Sequence, residues 1–335
     1  MSRKNNPASP KSQLELVLPA TSANLGPAFD AAALAFGLFL KVRARIADAF
    51  SITASGRDAE ICGQIENHLI LTTYRDVLQQ EGKPVRPLSL YIDNQIPIGK
   101  GCGSSASARL AGIALAVHFG KLGWTDSRIV GEASRREHHP DNAAACWMGG
   151  LAVARMSGDS EAQVACITPK GKWPLLLAVP DDALPTEEAR RVLPSEYSRA
   201  DAVTNVQNSM LLLAGFVQGR RDLVVSALED RMHQPYRASL CPLLPALQKL
   251  SGRSPGFLGA VLSGAGPSVL IFLGEKRKDE KRKGQKVKDG RVSVEHAVAQ
   301  VGAYLRAHGL KAEVISTAIT RQGAGQGRAW VRRHS

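Results

Sequence analysis

The sequence predicts an α+β protein of two domains. At 335 residues the chain is longer than one hydrophobic core usually serves, so two domains are expected. Strand-like and helical segments alternate along it, and residues 259–272 have the pattern of two buried strands around a glycine turn. The predicted units are a disordered basic tail at 1–12, a first domain at 13–160, a second domain at 161–320 with a basic insertion at 275–291, and a basic tail at 321–335.

The net charge of +13 is concentrated in three short segments. Residues 1–12, 275–291 and 321–335 carry +3, +5 and +4, which leaves about +1 for the rest of the chain. A nucleic-acid-binding protein usually gathers its basic residues on one folded face. We therefore interpret the excess as solvated surface charge and expect no nucleic-acid partner.

The five cysteines are widely spaced and form no Cys-x-x-Cys pair. This pattern is typical of a reducing compartment and argues against a disulfide framework or a zinc site. No stretch approaches the roughly 20 apolar residues of a membrane span, and the polar segment Met1–Gln13 leads directly into a strand, unlike a signal peptide. The sequence thus predicts a cytoplasmic protein without a membrane partner.

The first domain begins with a short predicted strand at Leu14–Val17. Pro19–Asp30 follows, and its small polar residues predict a turn-rich segment that lines a pocket. Leu40–Ile46 alternates apolar and basic residues, which indicates a strand with one wet face. A helix is predicted over 67–80, with Asn67 as its N-terminal cap.

A predicted strand at Leu88–Asp93 leads to the sequence Ile-Pro-Ile-Gly-Lys-Gly-Cys-Gly-Ser-Ser-Ala-Ser-Ala at 96–108, which opens an apolar helix. Glycines let backbone approach a ligand, and the N–H groups and dipole at a helix N-terminus favour an anion. The segment is therefore predicted to cradle phosphate. It lacks the Gly-Lys-Ser/Thr end of a Walker A loop. A dinucleotide-binding loop fits poorly, because Pro97 precedes the glycines and no clear acidic strand end follows.

A second predicted helix, Asp126–Glu137, ends at His139-Pro140-Asp141-Asn142, because proline stops it. So compact a group of ionisable and amide side chains is harder to explain by packing than as part of a site. Beyond it we predict strands at 151–156, 162–168, 173–180, within 259–272 and at 311–319, and helices from Thr186 and over 198–218, 221–231, 242–252 and 292–308.

Three segments together resemble the GHMP small-molecule kinases, a superfamily that includes galactose, homoserine, mevalonate and phosphomevalonate kinases. They are Pro19–Asp30, Pro97–Ala106 and Leu262–Ser268, which follow the order and spacing of the superfamily's signature blocks. Cys102 stands where leucine is usual. Further segments, at 137–151, at 186–194 and at Pro235-Tyr236-Arg237, are similar to the homoserine kinases within this superfamily.

The resemblance implies an S5-like N-terminal domain and a ferredoxin-like C-terminal domain. It also implies transfer of the γ-phosphoryl group of ATP to the side-chain hydroxyl of L-homoserine, a step toward threonine. Phosphorylation of another small alcohol, such as mevalonate, remains the alternative, because Ala28, His138 and Ala145 depart from the family pattern near the pocket. A homodimer is a further expectation.

The resemblance assigns the nucleotide to the glycine segment. The expected nucleotide-binding residues are Asn67, Pro97, Ile98, Gly99, Lys100, Gly101, Cys102, Gly103, Ser104, Ser105, Ala106 and Ser107. Phosphoryl transfer also needs charge neutralisation by Mg²⁺, and Mg²⁺ prefers oxygen ligands. Ser105 is expected to bind it together with either Glu137 or Glu132.

An amino-acid substrate needs partners for both of its charged groups. Guanidinium groups bind carboxylates through two hydrogen bonds, so Arg190 and Arg237 are expected to clamp the carboxylate. Asn24, Asp30 and Asn142 are expected to bind the ammonium group, and His139 and Asp141 complete the substrate-binding set. Asp141 and Asn142 are the expected catalytic residues, with Asp141 accepting the hydrogen bond of the substrate hydroxyl.

Overall fold

The structure, a computed structural model, describes residues 13–254, 256–274 and 293–328. Its strands are β1 (Gln13–Asn24), β2 (Ala28–Ile46), β3 (Ser51–Gly56), β4 (Leu88–Asn94), β5 (Leu151–Met156), β6 (Ala162–Ile167), β7 (Pro174–Val179), β8 (Phe257–Leu262), β9 (Val269–Leu273) and β10 (Glu313–Ala318). Its helices are α1 (Ala59–Cys62), α2 (Leu69–Gln80), α3 (Ser104–Gly120), α4 (Asp126–Glu137), α5 (Asp141–Met148), α6 (Thr186–Arg191), α7 (Arg199–Gln218), α8 (Arg221–Ser226), α9 (Gln234–Arg237), α10 (Leu243–Ser251) and α11 (Val294–Ala307). The predicted tail 1–12 and insertion 275–291 lie outside the described residues.

The first sheet has the strand order β3–β4–β2–β5–β6, with β1 alongside β2. The long strand β2 organises it, since β1 pairs along most of its length while β4 and β5 pair with its two ends. Its second half alternates as predicted: Leu40, Val42 and Ala44 are buried, whereas Lys41 and Arg43 are exposed. Helix α3 packs against α2, α4 and α5 beside this sheet and is buried along most of its length.

Pro19–Asp30, which the sequence predicts to be rich in turns, is mostly strand. Strand β1 continues to Asn24, and only Leu25–Pro27 turns before β2 begins. Long-range pairing explains the difference, because Ala23 lies opposite Ala33 in the β1–β2 register. The backbone N–H and C=O groups of this segment bond to a partner strand. The composition of the segment alone does not reveal that partner.

The second sheet has the antiparallel order β10–β7–β9–β8. In the chain these strands occur as β7, helices, β8, β9, α11 and β10, which is the βαββαβ arrangement of a ferredoxin-like domain. Successive residues of β7 point to opposite faces. Leu176 and Ala178 join the apolar cluster of α10 and α11, whereas Leu175 and Leu177 join the cluster that contains α7. The predicted two-domain α+β fold is therefore confirmed.

The chain passes between the two sheets near both predicted limits of the second domain. Strand β6 pairs with β5, so the first sheet continues past residue 160. After β10 the chain returns to the first sheet, where Ile319 forms a bridge with Phe36 and the Thr320 N–H donates to the Ala35 carbonyl at 2.9 Å. A 3₁₀ turn at Ala324–Arg328 then packs against α5. The beginning of the predicted C-terminal basic tail is thus part of the folded structure.

Two local predictions differ from the structure. Asn67 does not cap α2, because it has a left-handed backbone with φ of 54° and His68 occupies the N-cap position. The helix predicted over 221–231 is shorter, since the Asp230 carboxylate accepts three backbone N–H groups of the following turn. This turn leads into α9, which carries Arg237. Within the described ranges, no helix is both long enough and apolar enough to cross a membrane.

Candidate active site

The three segments of the resemblance meet at one cavity between the two sheets. Strand β1, the glycine loop, the ends of α3, α4 and α5, the start of α6, α9 and the β8–β9 turn all contribute to its wall. The lining residues are Ala23, Asn24, Asp30, Gly99, Gly101, Gly103, Ser104, Ser105, Glu137, His139, Asp141, Asn142, Leu184, Pro185, Thr186, Arg190, Arg237, Gly264 and Ala265.

The glycine loop, residues 99–103, packs closely against the other two segments of the resemblance, Pro19–Asp30 and Leu262–Ser268. Gly101 and Gly103 have φ of 75° and 71°, a left-handed conformation that favours glycine. A Cβ on Gly101 would overlap the Ser263 carbonyl, and one on Gly103 would overlap the Thr21 hydroxyl. Larger residues at these two positions would therefore displace the neighbouring segments as well as fill the cavity.

The loop ends at the N-terminus of α3, whose first residues are Ser104 and Ser105. The Gly99 N–H donates to Ser104 Oγ at 3.4 Å, and the Ser107 hydroxyl donates to the Ser104 carbonyl at 2.9 Å. The first N–H groups of a helix have no partner within it, and its positive dipole end favours an anion. Because both serines face the cavity, this end of it has the geometry of a phosphate cradle.

The remaining predicted nucleotide-binding residues do not line the cavity. Those buried or half-buried behind the loop are Pro97, Ile98, Cys102, Ala106 and Ser107. The Lys100 side chain extends toward the loop that follows β7, where its ammonium group donates a hydrogen bond to the Asp181 carbonyl. Asn67 is exposed on the turn before α2.

Cys102 occupies the position at which the resemblance expects leucine. Its side chain is 1 % exposed, and Sγ lies 3.7 Å from the Lys100 carbonyl oxygen and 4.0 Å from Ser268 Oγ. Burial raises the pKa of the Cys102 thiol to about 12. The thiol is therefore neutral and packs as a small apolar group.

A carboxylate stands beside the cradle. The Ser105 hydroxyl donates to Glu137 Oε1 at 2.6 Å, and Arg109 Nε donates to the same oxygen. Glu137 is the last residue of α4, and it lines the cavity together with Ser105. Two hard oxygen donors next to a phosphate cradle suit Mg²⁺.

Glu132, the other carboxylate considered for Mg²⁺, lies away from the cavity. It is 3 % exposed and accepts hydrogen bonds from Arg135 at 2.8 Å and Arg136 at 2.7 Å. Burial disfavours its charged form, but these two arginines outweigh burial and lower the pKa of Glu132. Since Arg136 also bonds Asp76 on α2, Glu132 belongs to a network that joins α4 to α2.

Asp141 and Asn142 begin α5 at the floor of the cavity. Asp141 is 1 % exposed, and its Oδ1 accepts hydrogen bonds from His139 Nδ1 at 2.8 Å and from the Asn142 N–H at 2.6 Å. Burial disfavours protonation of His139, but the hydrogen bond to Asp141 outweighs it and raises the pKa of His139. The Thr21 hydroxyl donates to Asn142 Oδ1 at 2.7 Å. The cluster is thus held in place from β1.

Asn24 and Asp30 form the wall next to this cluster. Asn24 Nδ2 donates to the Gly264 carbonyl at 2.8 Å, and the Asp30 N–H donates to Asn24 Oδ1 at 3.0 Å. Arg190 donates to both carboxylate oxygens of Asp30, with Nη2–Oδ1 of 2.7 Å and Nη1–Oδ2 of 3.1 Å. The sequence assigns these two side chains to opposite ends of the substrate, and the structure shows them bound to each other.

Arg237 is the second predicted clamp residue and is 1 % exposed. Its Nε donates to the Ala189 carbonyl at 2.9 Å, and Nη1 lies 3.2 Å from His233 Nδ1. Burial and the nearby Arg190 charge lower the pKa of Arg237 to about 10. Arg237 therefore remains a cation at neutral pH and carries that charge to the cavity wall.

Phe29 and His233 support the two arginines, and neither was among the predicted site residues. The Phe29 ring lies 5.6 Å from the Arg190 guanidinium carbon and 5.5 Å from that of Arg237. It also stacks on the His233 ring at 5.3 Å. Burial and the Arg237 charge outweigh the nearby acids and lower the pKa of His233 to about 4. A neutral imidazole can donate Nε2–H to the Gly26 carbonyl, 2.8 Å away, and accept from Arg237.

Some residues of the cavity wall were not among the predicted site residues. These are Ala23, Leu184, Pro185, Thr186, Gly264 and Ala265. Thr186, Gly264 and Ala265 lie inside segments that carry the resemblance, so they could have been predicted as residues of the site. No such signal marks Leu184, which reaches the cavity because its N–H donates to the Gly99 carbonyl at 3.3 Å.

Among the described residues, Asp30, His139 and Asp141 bring possible metal-ligand atoms within 4.8 Å of one another. Asp30 already binds Arg190, and Asp141 already binds His139. Asp141 Oδ2 accepts neither of the bonds to this residue, and the lone pairs left on the two carboxylates suit an ammonium group, which can donate several hydrogen bonds.

A phosphate cradle joined to an acceptor pocket of paired opposite charges defines a small-molecule kinase. Sequence models agree, since GHMP kinases N terminal domain matches residues 68–150 and GHMP kinases C terminal matches residues 212–289. A curated homoserine kinase of Solibacter usitatus is 47% identical over 265 residues, covering 78% of this chain and 86% of its own. That of Synechocystis is 38% identical over 266 residues, with the same coverage of 78% and 86%. The chain belongs to the homoserine kinases of the GHMP kinase family.

A solved structure shows the same fold. The crystal structure of a homoserine kinase from Cytophaga hutchinsonii matches with a TM-score of 0.75 over 94% of this chain and 98% of its own. The sequences are 21% identical, so this likeness speaks for the fold alone.

Proposed function

We propose that the protein transfers the γ-phosphoryl group of ATP to the side-chain hydroxyl of L-homoserine. The product would be O-phospho-L-homoserine, on the route to threonine. The observation that carries the proposal is one cavity in which the loop at 99–103 and the start of α3 lie beside Asp141, Arg190 and Arg237. The names of the most similar curated relatives support the same substrate.

The charged pocket suits an amino acid because it offers partners of both signs. In the structure Asp30 and Arg190 satisfy each other. A ligand with a carboxylate and an ammonium group can separate this pair and bind both of its members, so neither charge is left unpaired. Arg237, which is buried and still cationic, adds a second donor for the carboxylate. Asn24 and Asn142 add carbonyl oxygens for the ammonium group.

Asp141 is the residue that we assign to the reacting hydroxyl. Both of its hydrogen-bond donors, His139 and the Asn142 N–H, bind Oδ1. We assign the other oxygen, Oδ2, to the hydrogen bond of the substrate hydroxyl. Because Asp141 is fixed at the start of a buried helix, it can hold that hydroxyl in line with the cradle, and such positioning is the main requirement of phosphoryl transfer.

At the other end of the cavity, Ser105 and Glu137 would hold Mg²⁺, which neutralises phosphate charge when it is bound. A hydrogen bond of 2.6 Å brings their oxygens together beside the cradle, so both are within reach of one cation. Arg109 keeps the Glu137 carboxylate turned toward α3.

We further propose that the protein acts in the cytoplasm as a homodimer, without a nucleic-acid or membrane partner. All five cysteines are free thiols, which fits a reducing compartment. The excess positive charge lies in 1–12, 275–291 and 321–335, and the cavity-lining residues in the described part of the chain all belong to other segments.

The direct test is ADP release by the full chain with L-homoserine, mevalonate or shikimate as acceptor. We expect kcat/KM for homoserine to exceed that for mevalonate by about 100-fold or more, because mevalonate has no ammonium group for Asp30 and a site built for a polar group rejects substrates that lack it. A preference for mevalonate would favour the alternative alcohol.

A further inference from the structure

Arg109 lies one helical turn after Ser105 on α3 and contacts the carboxylate that we assign to Mg²⁺. Residues four apart lie on the same side of a helix, so both side chains approach Glu137 from one side of α3. The Ser105 hydroxyl donates to Glu137 Oε1 at 2.6 Å, and Arg109 Nε donates to the same oxygen. One oxygen of the proposed metal ligand therefore already has two donors, and one of them is a cation.

The ion pair is largely shielded from water. The side chains of Arg109 and Glu137 are 25% and 11% exposed. Water and dissolved salt screen exposed charges strongly and partly buried pairs much less. The positive charge of Arg109 therefore acts on Glu137, and on any ion that approaches it, at close range and with little screening.

Without a nucleotide, this end of the cavity offers little net negative charge to a metal ion. Glu137 is the cavity-lining carboxylate beside the cradle, whereas Asp30 and Asp141 lie at the acceptor end. Arg109 offsets the charge of Glu137, and the N-terminus of α3 adds a positive dipole end. A divalent cation that entered the empty cradle would be repelled by both.

We propose that Arg109 closes the metal site in the free protein and makes Mg²⁺ binding depend on the nucleotide. The inference rests on the metal site of the proposed function, in which Ser105 and Glu137 are the ligands. The guanidinium group occupies Glu137 in place of a metal ion, so a divalent cation has to displace a positive charge before Glu137 can bind it. Arg109 is thus a positioning residue that sets the order of binding.

The phosphates of a nucleotide would reverse this balance of charge. Mg²⁺ is usually held by one or two carboxylates together with substrate phosphates. Phosphates in the cradle attract a divalent ion more strongly than a guanidinium group, because the ion carries twice the charge. Glu137 can then exchange Arg109 for the metal. A residue that weakens metal binding only in the free protein increases the factor by which the nucleotide raises metal affinity.

Arg109 has two opposite effects on a metal ion, and they can be told apart. It holds the Glu137 carboxylate against α3, and an oriented ligand binds a metal more tightly. It also repels the ion. We infer that repulsion is the larger effect, because the guanidinium group is bonded to an oxygen that the ion needs. Removal of Arg109 should therefore raise metal affinity, whereas a residue that only orients Glu137 would lower it on removal.

The test is Mn²⁺ binding to the full chain without substrates, measured by electron paramagnetic resonance of the unbound ion. Mn²⁺ shares the oxygen ligands that Mg²⁺ prefers. We expect Arg109→Gln to bind Mn²⁺ at least about 10-fold more tightly than the wild type. Arg109→Lys keeps the charge and should bind as weakly as the wild type. Arg135→Gln, which removes a partner of Glu132 on α4, is the matched control and should also resemble the wild type.

Two outcomes of this titration contradict the proposal. Unchanged or weaker Mn²⁺ binding by Arg109→Gln would overturn it. So would equal tightening in Arg109→Lys, because the charge would then not be the cause. A double variant locates the ion: Arg109→Gln with Glu137→Gln should lose the added affinity. If the double variant keeps that affinity, the ion binds elsewhere and the proposal fails.

Thermal unfolding gives a second readout with Mg²⁺ itself, since a ligand that binds the folded state raises Tm. Mg²⁺ alone should raise the Tm of Arg109→Gln more than that of the wild type, whereas Mg²⁺ with ADP should raise both. Equal shifts by Mg²⁺ alone would contradict the proposal. Neither measurement involves homoserine or turnover, so a failure here is distinct from a failure of the proposed function, which the ADP-release assay tests.

Discussion

Asp30 and Arg190 stand 160 residues apart in the chain and bind each other through two hydrogen bonds of 2.7 and 3.1 Å. Their side chains are 31% and 33% exposed, so a ligand in the cavity can reach both. The pair holds one negative and one positive group ready in the cavity in which we propose that the amino-acid substrate binds. It therefore favours a zwitterion over an acceptor that carries one charge.

Asp30→Asn tests this selection. The substitution preserves the shape of the side chain but removes its charge, so Arg190 and the substrate ammonium group both lose an anionic partner. We expect kcat/KM for homoserine to fall at least about 30-fold, with KM for ATP nearly unchanged. Steady-state kinetics with each substrate varied in turn measures both. Asp48→Asn, at an exposed position away from the cavity, is the control. Unchanged homoserine kinetics in Asp30→Asn would show that Asp30 does not contact the substrate.

Arg237→Ala should lower kcat/KM for homoserine by about 30- to several-thousand-fold, because removing a charged hydrogen-bond donor at a buried site leaves its partner unpaired. KM for ATP should change little. Arg237→Lys should restore only part of the loss, since an ammonium group cannot reproduce the planar fork.

The acceptor 3-aminopropanol, which lacks the carboxylate, separates binding from structure. It should be a poor substrate of the wild type and no worse with Arg237→Ala. Arg237 also bonds Ala189 and His233, so thermal unfolding must be measured alongside. Equal losses for both acceptors would mean that Arg237 acts only through the fold.

Glu137→Gln and Glu132→Gln form a matched pair on one helix. Glu137 lies beside the cradle, so its loss should lower kcat about 100-fold or more and raise the Mg²⁺ concentration needed for half-maximal rate. Glu132 is buried between Arg135 and Arg136, so its loss should reduce stability by about 3–5 kcal/mol and leave the Mg²⁺ dependence unchanged. Mg²⁺ titrations of turnover and denaturant unfolding distinguish the two effects. The reverse pattern would place the metal at Glu132.

The free energy of unfolding should depend on pH through His233. Burial depresses its pKa in the folded protein to about 4, below the ordinary value near 6.5. The unfolded chain therefore binds a proton at His233 more tightly than the folded protein does. The contribution of the neutral His233 to the free energy of unfolding is complete above about pH 6.5, and it is lost as the pH falls toward 4. The loss would reach about 3 kcal/mol. Urea unfolding from pH 7 to 4 should show a shallower decline for His233→Gln than for the wild type. His308→Gln, at an exposed position, should match the wild type, and equal slopes in all three proteins would refute the assignment.

The cradle could be predicted from sequence because its physical requirements are local. Glycines without Cβ atoms, followed at once by the start of an apolar helix, are adjacent in the chain, and the structure places Gly101, Gly103 and Ser104 in the cavity wall. The ferredoxin-like second domain was implied by the resemblance, and the observed order β10–β7–β9–β8 agrees with it.

The features of the site that could not be predicted from the sequence depend on contacts between segments far apart in the chain. The Arg190–Asp30 pair is one such contact. The choice between Glu132 and Glu137 is another, because both lie on α4 and only the packing of α4 against α3 decides which one reaches Ser105. Similarly, Pro19–Asp30 has the composition of a loop, yet β2 pairs with it and makes it strand.

The return of the chain to the first sheet has a consequence for synthesis. Ala35 accepts a hydrogen bond from Thr320, and Gly325 packs beside the Trp147 ring. A domain generally folds as a unit as it leaves the ribosome, the N-terminal one first. Here the N-terminal unit emerges long before the segment that closes it, so the Trp147 ring lacks its contact with Gly325 until the second unit has been made. The two units are therefore completed together, and a nascent chain that stops before residue 319 would expose an aromatic surface to chaperones and to aggregation.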